Sequence, residues 1–352
     1  MIDESWLQHD SGEGDGLDPL AIEVEASASF NNTFVTVEKL DNFVRAHTKP
    51  KKVVKRSNSF IRAHDLNISG HDLQMDDERT DRDTSDRANG SLVCVDRNGQ
   101  LVMNALVDIG LAEASDESSR WVATSSTASV LKKRSSSKRR SKTGMGPWKN
   151  AAHGKDVLVW SSQCSRPGHG REYPVVKARG LIFASAKEVV DLLKDSRRVG
   201  LYNKSSLGRK DKFVLTTNSV DSDAKIMSSL TKPPIVRKPL ECLSLFHARQ
   251  LTKGDNVELD GNGKGFVTVG RSVWKNEEGE PDGSNSSTIR CEILLSVNLV
   301  RDVSTADGTR LCELTIITHV VSPAGIPLFI GKKAALTAAD GFIKDVRAVF
   351  ET

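Results

Sequence analysis

The sequence predicts an α+β domain in its second half, with helices on one face of an antiparallel sheet. Three observations carry this. A strand-like run opens with Arg290-Cys291-Glu292-Ile293-Leu294-Leu295, a second occupies 311–321, and one Pro-started helical pattern then takes the chain to its end. Long strands feeding a terminal amphipathic helix can curve around it and leave an apolar hollow between sheet and helix.

Taken in order, residues 1–150 are rich in Ser, Asp, Gly, Lys and Arg. Their apolar residues are too scattered to offset the entropy of ordering. This stretch is therefore expected to be disordered, with two apolar islands at 34–44 and 92–111 that form only transient helix or hairpin. Composition changes after Gly144-Met145-Gly146-Pro147, which sets the folded domain at 151–352. Strands are expected at 156–163, 175–183, 224–230, 241–251, 265–274, 288–300 and 309–321. Ser185 followed by Glu188 forms a capping box before a helix whose apolar stripe is Val189, Leu192 and Leu193. Asp260-Gly261-Asn262-Gly263 reads as a hairpin turn.

Alternation in the last strand places Cys312, Leu314, Ile316, Thr318 and Val320 on one face, the expected interior. In the strand before it, Ile289, Cys291, Ile293, Leu295, Val297 and Leu299 make a nearly unbroken apolar face. The closing helix supplies cover: Ala335, Ala339, Phe342, Val346 and Val349 recur at helical spacing, widened by Ile343 and Phe350. Lys332, Lys333, Lys344 and Arg347 are expected on or near its wet side. Pro327 suits the first turn, where its missing N–H is an orphan anyway. Gly341 costs about 1 kcal/mol against Ala in a helix interior, either as a yielding point in a lid or as tolerated packing.

A net charge of +4 over 352 residues does not imply nucleic acid. Five cysteines without CxxC spacing read as buried thiols in a reducing compartment. No signal peptide, lipidation box or apolar run near 18 residues is present, so a soluble intracellular protein is expected, cytoplasmic and peripheral at membranes, or nuclear.

Five local patterns carry a resemblance. Residues 172–195 (EYPVVKARGLIFASAKEVVDLLKD) read as an early strand and its helix. Lys238-Pro239-Leu240-Glu241 precedes a long strand, and Arg271-Ser272-Val273 ends the next. Arg290 to Leu295 matches R-x-E-I-L-L, and Gly325-Ile326-Pro327 steps into the closing helix. In this order and over this length, residues 156–352 resemble the lipid-binding START domain. The resemblance implies a helix-grip fold, a curved antiparallel sheet around a long C-terminal helix, with a ligand between them. It places Phe342 and Ala335 toward that ligand.

The ligand-contacting set expected on this basis is Met227, Ser244, Phe246, Thr268, Ile293, Asn298, Ile316, Thr318, Val320, Ala335, Ala339 and Phe342. Some sterol-binding relatives bury an Arg–carboxylate pair where this chain has Phe246 and Met227, so sterol specificity does not follow. The polar candidates Ser244, Thr268, Asn298 and Thr318 are equally explicable as satisfied core or edge residues. The expected partner is one lipid, whether sterol, phospholipid or another. The rival readings are a regulatory module with a filled hollow and an enzyme of the wider superfamily.

No catalytic residue, metal site or cofactor is expected. His247 and His319 lack a nucleophile or second ligand at productive spacing. Residues 261–265 (GNGKG) are a turn rather than a phosphate loop, because strand follows and Ser/Thr does not. Arg290 and Glu292 are expected to make exposed cross-strand pairs. The run containing Lys132, Lys133, Arg134, Lys138, Arg139, Arg140 and Lys142 is suited to transient contact with an anionic membrane, switchable through its serines. A nuclear signal and a solvated linker are its alternatives. Without interleaved aromatics, nucleic-acid binding is not expected.

Overall fold

A computed structural model describes residues 61–68, 91–136, 154–164, 173–216, 222–233, 237–255, 257–259, 264–274, 287–305, 308–321 and 328–351. Strands β1 (Ile61–Arg62) and β2 (Ser91–Cys94) precede helix α1 (Arg97–Ser115), followed by β3 (Val122–Ala123) and α2 (Ser125–Ser136). Then come β4 (Val157–Gln163), β5 (Pro174–Ile182), α3 (Ala186–Lys194) and the short α4 (Val199–Tyr202). Strands β6 (Ser206–Thr216), β7 (Ser222–Thr231), β8 (Leu240–Gln250), β9 (Gly265–Trp274), β10 (Ile289–Arg290), β11 (Ile293–Asp302) and β12 (Cys312–Val320) lead to α5 (Leu328–Phe350). The sheet runs β2-β6-β7-β8-β9-β11-β12-β5-β4-β3, with β1 beside β9 and β10 beside β8. From β6 through β4 every pairing along it is antiparallel.

The sheet must curve. Strands β6 and β5 are separated by five others, yet α4 touches both β6 and α5, and α5 in turn lies along β5 and β4. The face turned toward α3, α4 and α5 is called inner here, its opposite outer. With this order of elements and a closing helix held against the inner face, the domain has an α+β helix-grip fold.

The helix caps follow from sequence. Ser185 accepts from the Glu188 backbone N–H while the Glu188 carboxylate accepts from the Ser185 N–H, the predicted capping box. Asp96 caps α1 by accepting from Gly99 N–H at 2.8 Å.

Helix α1 overturns the expected disorder for residues 91–136. Its buried Val102, Met103, Leu106, Val107, Ile109 and Leu111 share one core with Leu243, Leu245, Val267, Val269, Val297, Leu299 and Ile317 on the outer face. Burial of each such side chain contributes roughly 1.5–3 kcal/mol. A stretch that looked too sparse to fold by itself is thus ordered by a non-local partner. Gly110 permits the close seat, since a Cβ there would lie 2.7 Å from Val269 Cγ1. Leu66 and Ile68 join the same core. At the sheet edge, Thr127 of α2 accepts from Val159 N–H at 2.7 Å, occupying a backbone donor that an edge strand leaves open.

The outer face also buries charge. Glu313, fully buried, accepts from Arg301 at 2.9 Å and lies 3.5 Å from Arg179 Nε. Arg179 reaches Glu117 beyond the end of α1 at 2.7 Å and donates to Thr315 Oγ1 at 3.1 Å. Neighbouring Lys177 stacks 4.8 Å over Trp121. Burial, aided by the Arg179 charge, lowers the Lys177 amine to about 8.

Three further expectations change. Arg347 is buried rather than wet, donating to the carbonyls of Leu181 and Lys155 at 3.0 and 2.9 Å. Its guanidinium tethers α5 to the start of β4. Arg290 and Glu292 are half-buried rather than exposed. The apolar run 289–299 is split by a register shift between Ile293 and Leu295. Ile289, Cys291 and Ile293 pack with Leu240 and Cys242, whereas Leu295, Val297 and Leu299 enter the core under α1. One extra residue in an antiparallel pair reverses the side-chain parity beyond it. Strand β6, unexpected from sequence, pairs with β7 through two such irregularities. The predicted turn 260–263, Gly325 and Pro327, and Lys138 to Lys142 fall outside the described residues.

Candidate functional site on the inner face

Parity fixes which side chains face inward. With Leu243 and Leu245, Val267 and Val269, Val297 and Leu299, and Ile317 turned outward, their alternates line the inner face. In β8 these are Leu240, Cys242, Ser244, Phe246, Ala248 and Gln250. In β9 they are Phe266, Thr268, Gly270 and Ser272, in β11 Ser296, Asn298 and Val300, and in β12 Cys312, Leu314, Ile316, Thr318 and Val320. None is charged.

Helix α5 does not cover all of this. Its Ala339, Ile343 and Val346 share a core with Val159, Val176, Ala178, Cys312, Leu314 and Ile316, on the β4–β5–β12 side. Gly180 accommodates it, because a Cβ there would collide with Ile343. Val189, Leu192 and Leu193 of α3 belong to that core too, with Val300 and, at its margin, Phe266, which closes one end of the inner face. Tyr202 and Phe342 meet edge to face at 5.7 Å, an arrangement favoured by the ring quadrupoles.

Toward the middle the lining becomes polar without becoming charged. Asn298 Nδ2 donates to Thr268 Oγ1 at 2.7 Å across a directly paired position. Ser296 stands opposite Thr318, both half-buried. Ser272 Oγ accepts from Ile293 N–H at 2.8 Å. Ser244, opposite Ser272 and Met227, is 1% exposed, and its hydroxyl has no hydrogen-bond partner among the described residues. Met227, Phe246 and Ala248 form an apolar island separate from the core under α5.

The island is bounded by a cation and a thiol pair. Lys225 Nζ lies 5.7 Å over the Phe246 ring and donates to Asp211 and Ser196 at 2.8 and 3.0 Å. Burial lowers its amine below the ordinary lysine value. Beside it a recess of about 350 Å³ is lined by Phe246, Val214, Lys194 and Asp223. At the other end Leu240, Cys242 and Cys291 pack with Ile293 and Val320, next to Val321. A second recess of about 680 Å³ opens where the first turns of α5 meet the end of β4, between Phe329, Lys332, Ser162 and Pro174.

The twelve residues expected from sequence therefore fall into two groups. Ile316, Ala339, Ala335 and Phe342 belong to the packed contact under α5 or its margin. Met227, Ser244, Phe246, Thr268, Asn298, Thr318, Ile293 and Val320 face inward across the centre and one end. Ile293 and Asn298 differ in parity, and the register shift between them brings both inward. Sequence reasoning missed Gly270, Ser272, Ser296 and Lys225. The parity of Thr268 and Asn298 already implied three of these. His247 and His319 are buried on the outer face, away from this lining. Burial, with the Arg249 charge, lowers His247 to about 4.

Among solved structures, three similar ones are human STARD10, the lipid transfer and protein localization domain of human StarD13, and human StAR-related lipid transfer protein 5. STARD10 has TM-score 0.40 and 15% identity over 62% of this chain and 76% of its own. StarD13 has 0.40 and 14% over 64% and 98%, and protein 5 has 0.42 and 12% over 64% and 95%. No family model and no curated protein sequence matches the chain. Among the described residues no helix is long and apolar enough to cross a membrane.

Proposed function

We propose that this chain binds a single lipid between the inner face of the sheet and α5, and carries or senses it without transforming it. The observation that carries this reading is the uncharged inner face, whose central island of Met227, Phe246 and Ala248 is not packed against the closing helix. Ligand pockets of about 300–1,000 Å³ with apolar walls and few polar groups suit such a ligand. Burial of its tail would contribute about 25 cal/mol per Å². The ligand contacts are Met227, Ser244, Phe246, Thr268, Ile293, Asn298, Thr318 and Val320, with Ala335, Ala339, Phe342 and Ile316 forming the wall on the α5 side.

The start of α5 is the proposed membrane contact. Leu328, Phe329 and Ile330 are 49%, 74% and 38% exposed, with Lys332 and Lys333 exposed one turn on. Apolar side chains ahead of cations suit the boundary between acyl chains and anionic headgroups. Lys132, Lys133 and Arg134 on α2 add to the basic character. Flotation with anionic vesicles should retain the chain and should lose it on Phe329→Asp; equal flotation of both would remove α5 from the contact.

Native mass spectrometry of the chain purified from a lipid-containing host tests the binding itself. One lipid mass per chain is expected. If no adduct appears and no fluorescent lipid is bound or displaced, lipid carriage is the wrong function.

A further inference from the structure

The centre of the inner face shows what kind of head group it would accept. Across β8, β9, β11 and β12 the inward side chains from Leu240 to Gln250, Phe266 to Ser272, Ser296 to Val300 and Cys312 to Val320 include hydroxyls, thiols and two amides but no charge. The nearest inward cation, Lys225, is already held by Asp211, Ser196 and the Lys194 carbonyl. A phosphate brought here would leave water without meeting a free cation among the described inward residues, and its desolvation would go uncompensated. A neutral hydroxyl would not incur that cost.

One buried group there lacks a partner among the described residues. Most polar atoms at this centre are satisfied: Asn298 by Thr268 and Ser272 by the Ile293 N–H. Ser244 Oγ is buried and has none. A buried hydroxyl left unpaired is a standing cost, which is relieved when a ligand group bonds to it. Gly270, two residues from its cross-strand partner Ser272, pairs with Phe246 on one side and Ser296 on the other, so the floor has no side chain at that point. A Cβ added there would stand 3.3 Å from Leu245 O and 3.6 Å from Ser296 Cβ, both within the sheet.

We infer that the ligand is a neutral lipid carrying a hydroxyl head group, which is buried at Ser244 over the gap left by Gly270, and that phosphate-headed lipids are disfavoured. This rests on the lipid-binding reading above and narrows its ligand class. Ser244 can donate to or accept from a hydroxyl, so either polarity of the head satisfies it. The Thr268–Asn298 pair, already bonded, positions the floor and is not the anchor.

The test uses the full chain, delipidated, with three fluorescent probes that share one long acyl tail: the primary alcohol, its deoxy counterpart ending in a methyl group, and its phosphate monoester. The alcohol should bind at least tenfold more tightly than the phosphate. Ser244→Ala should weaken the alcohol about tenfold and leave the deoxy probe unchanged, a split that general loss of folding would not produce. Phosphate binding as tight as alcohol binding overturns the head-group assignment while leaving lipid carriage intact. Equal loss for alcohol and deoxy probes, or no loss for either, removes Ser244 as the anchor. Failure of all three probes, with no lipid in native mass spectra, sinks the lipid-binding reading and this inference together.

Discussion

The two faces of this sheet are opposites. The outer face is packed by α1 across β9, β11 and β12 and yet holds the charges, with Glu313 between Arg179 and Arg301 and Lys177 over Trp121. The inner face has no charge at its centre and yet leaves Ser296, Asn298 and Thr318 only half-buried there, while α5 packs along β4, β5 and β12. Polarity and burial are therefore not distributed as they would be in a sheet with one wet side and one dry side. Charge is tolerated where every partner is fixed by the fold, and is excluded where the partner is to come from outside.

The largest effect that would break this comparison is removal of residues 1–136. If α1 is the second wall of the core, the remainder should aggregate or show no cooperative melting, because Val267, Val269, Val297 and Leu299 would meet water. A soluble monomer with a sharp thermal transition would show that the outer face stands alone. Next is Glu313→Ala, which leaves two buried guanidinium groups without their shared carboxylate. It should cost about 3–5 kcal/mol in denaturant unfolding, against under about 1 kcal/mol for Thr318→Ala on the half-open inner face. Similar losses at both would erase the distinction.

Acid should act on the outer face. His247 has a pKa of about 4 in the folded chain against an ordinary 6.5, so the unfolded chain takes up the proton first. Stability that is complete above pH 6.5 is lost as pH falls toward 4, by on the order of 3 kcal/mol. Unfolding free energies measured across that window should lose this slope in His247→Gln. An unchanged slope would place the titration elsewhere. The smallest effect is Phe342→Ala. Its ring is half-buried and meets Tyr202 edge to face, so truncation should lower stability by about 1 kcal/mol, read from the denaturation midpoint. A loss of 3 kcal/mol or more would mean that α5 is packed as solidly as α1.

Much of the inner face was legible in sequence, because period-two alternation in 265–274 and 309–321 and the spacing of Ala339, Ile343 and Val346 are local signals. The Ser185–Glu188 capping box was legible for the same reason. Helix α1 was not. Gly99 and Gly110 sit within its buried stripe, and most of what orders it lies far along the chain, in β9, β11 and β12. Strand β6 was hidden by Arg209, Lys210, Asp211 and Lys212. These suit an edge-like strand whose flank is engaged by polar contacts such as Lys225 with Asp211. Arg347 was misplaced because periodicity ranks a guanidinium as solvent-seeking, whereas three backbone carbonyls, those of Leu181, Lys155 and Asp156, satisfy it inside.

The shift between Ile293 and Leu295 lets β11 serve two compartments with one short segment. A protein engineer who deleted Leu294 would remove the extra residue and leave a regular ladder, with Ile293 still opposite Val320 and Leu295 still opposite His319, so both faces of the strand would survive and only its local bend would be lost. An off-by-one comparison with any relative that ignores the extra residue exchanges every candidate contact beyond it for its neighbour.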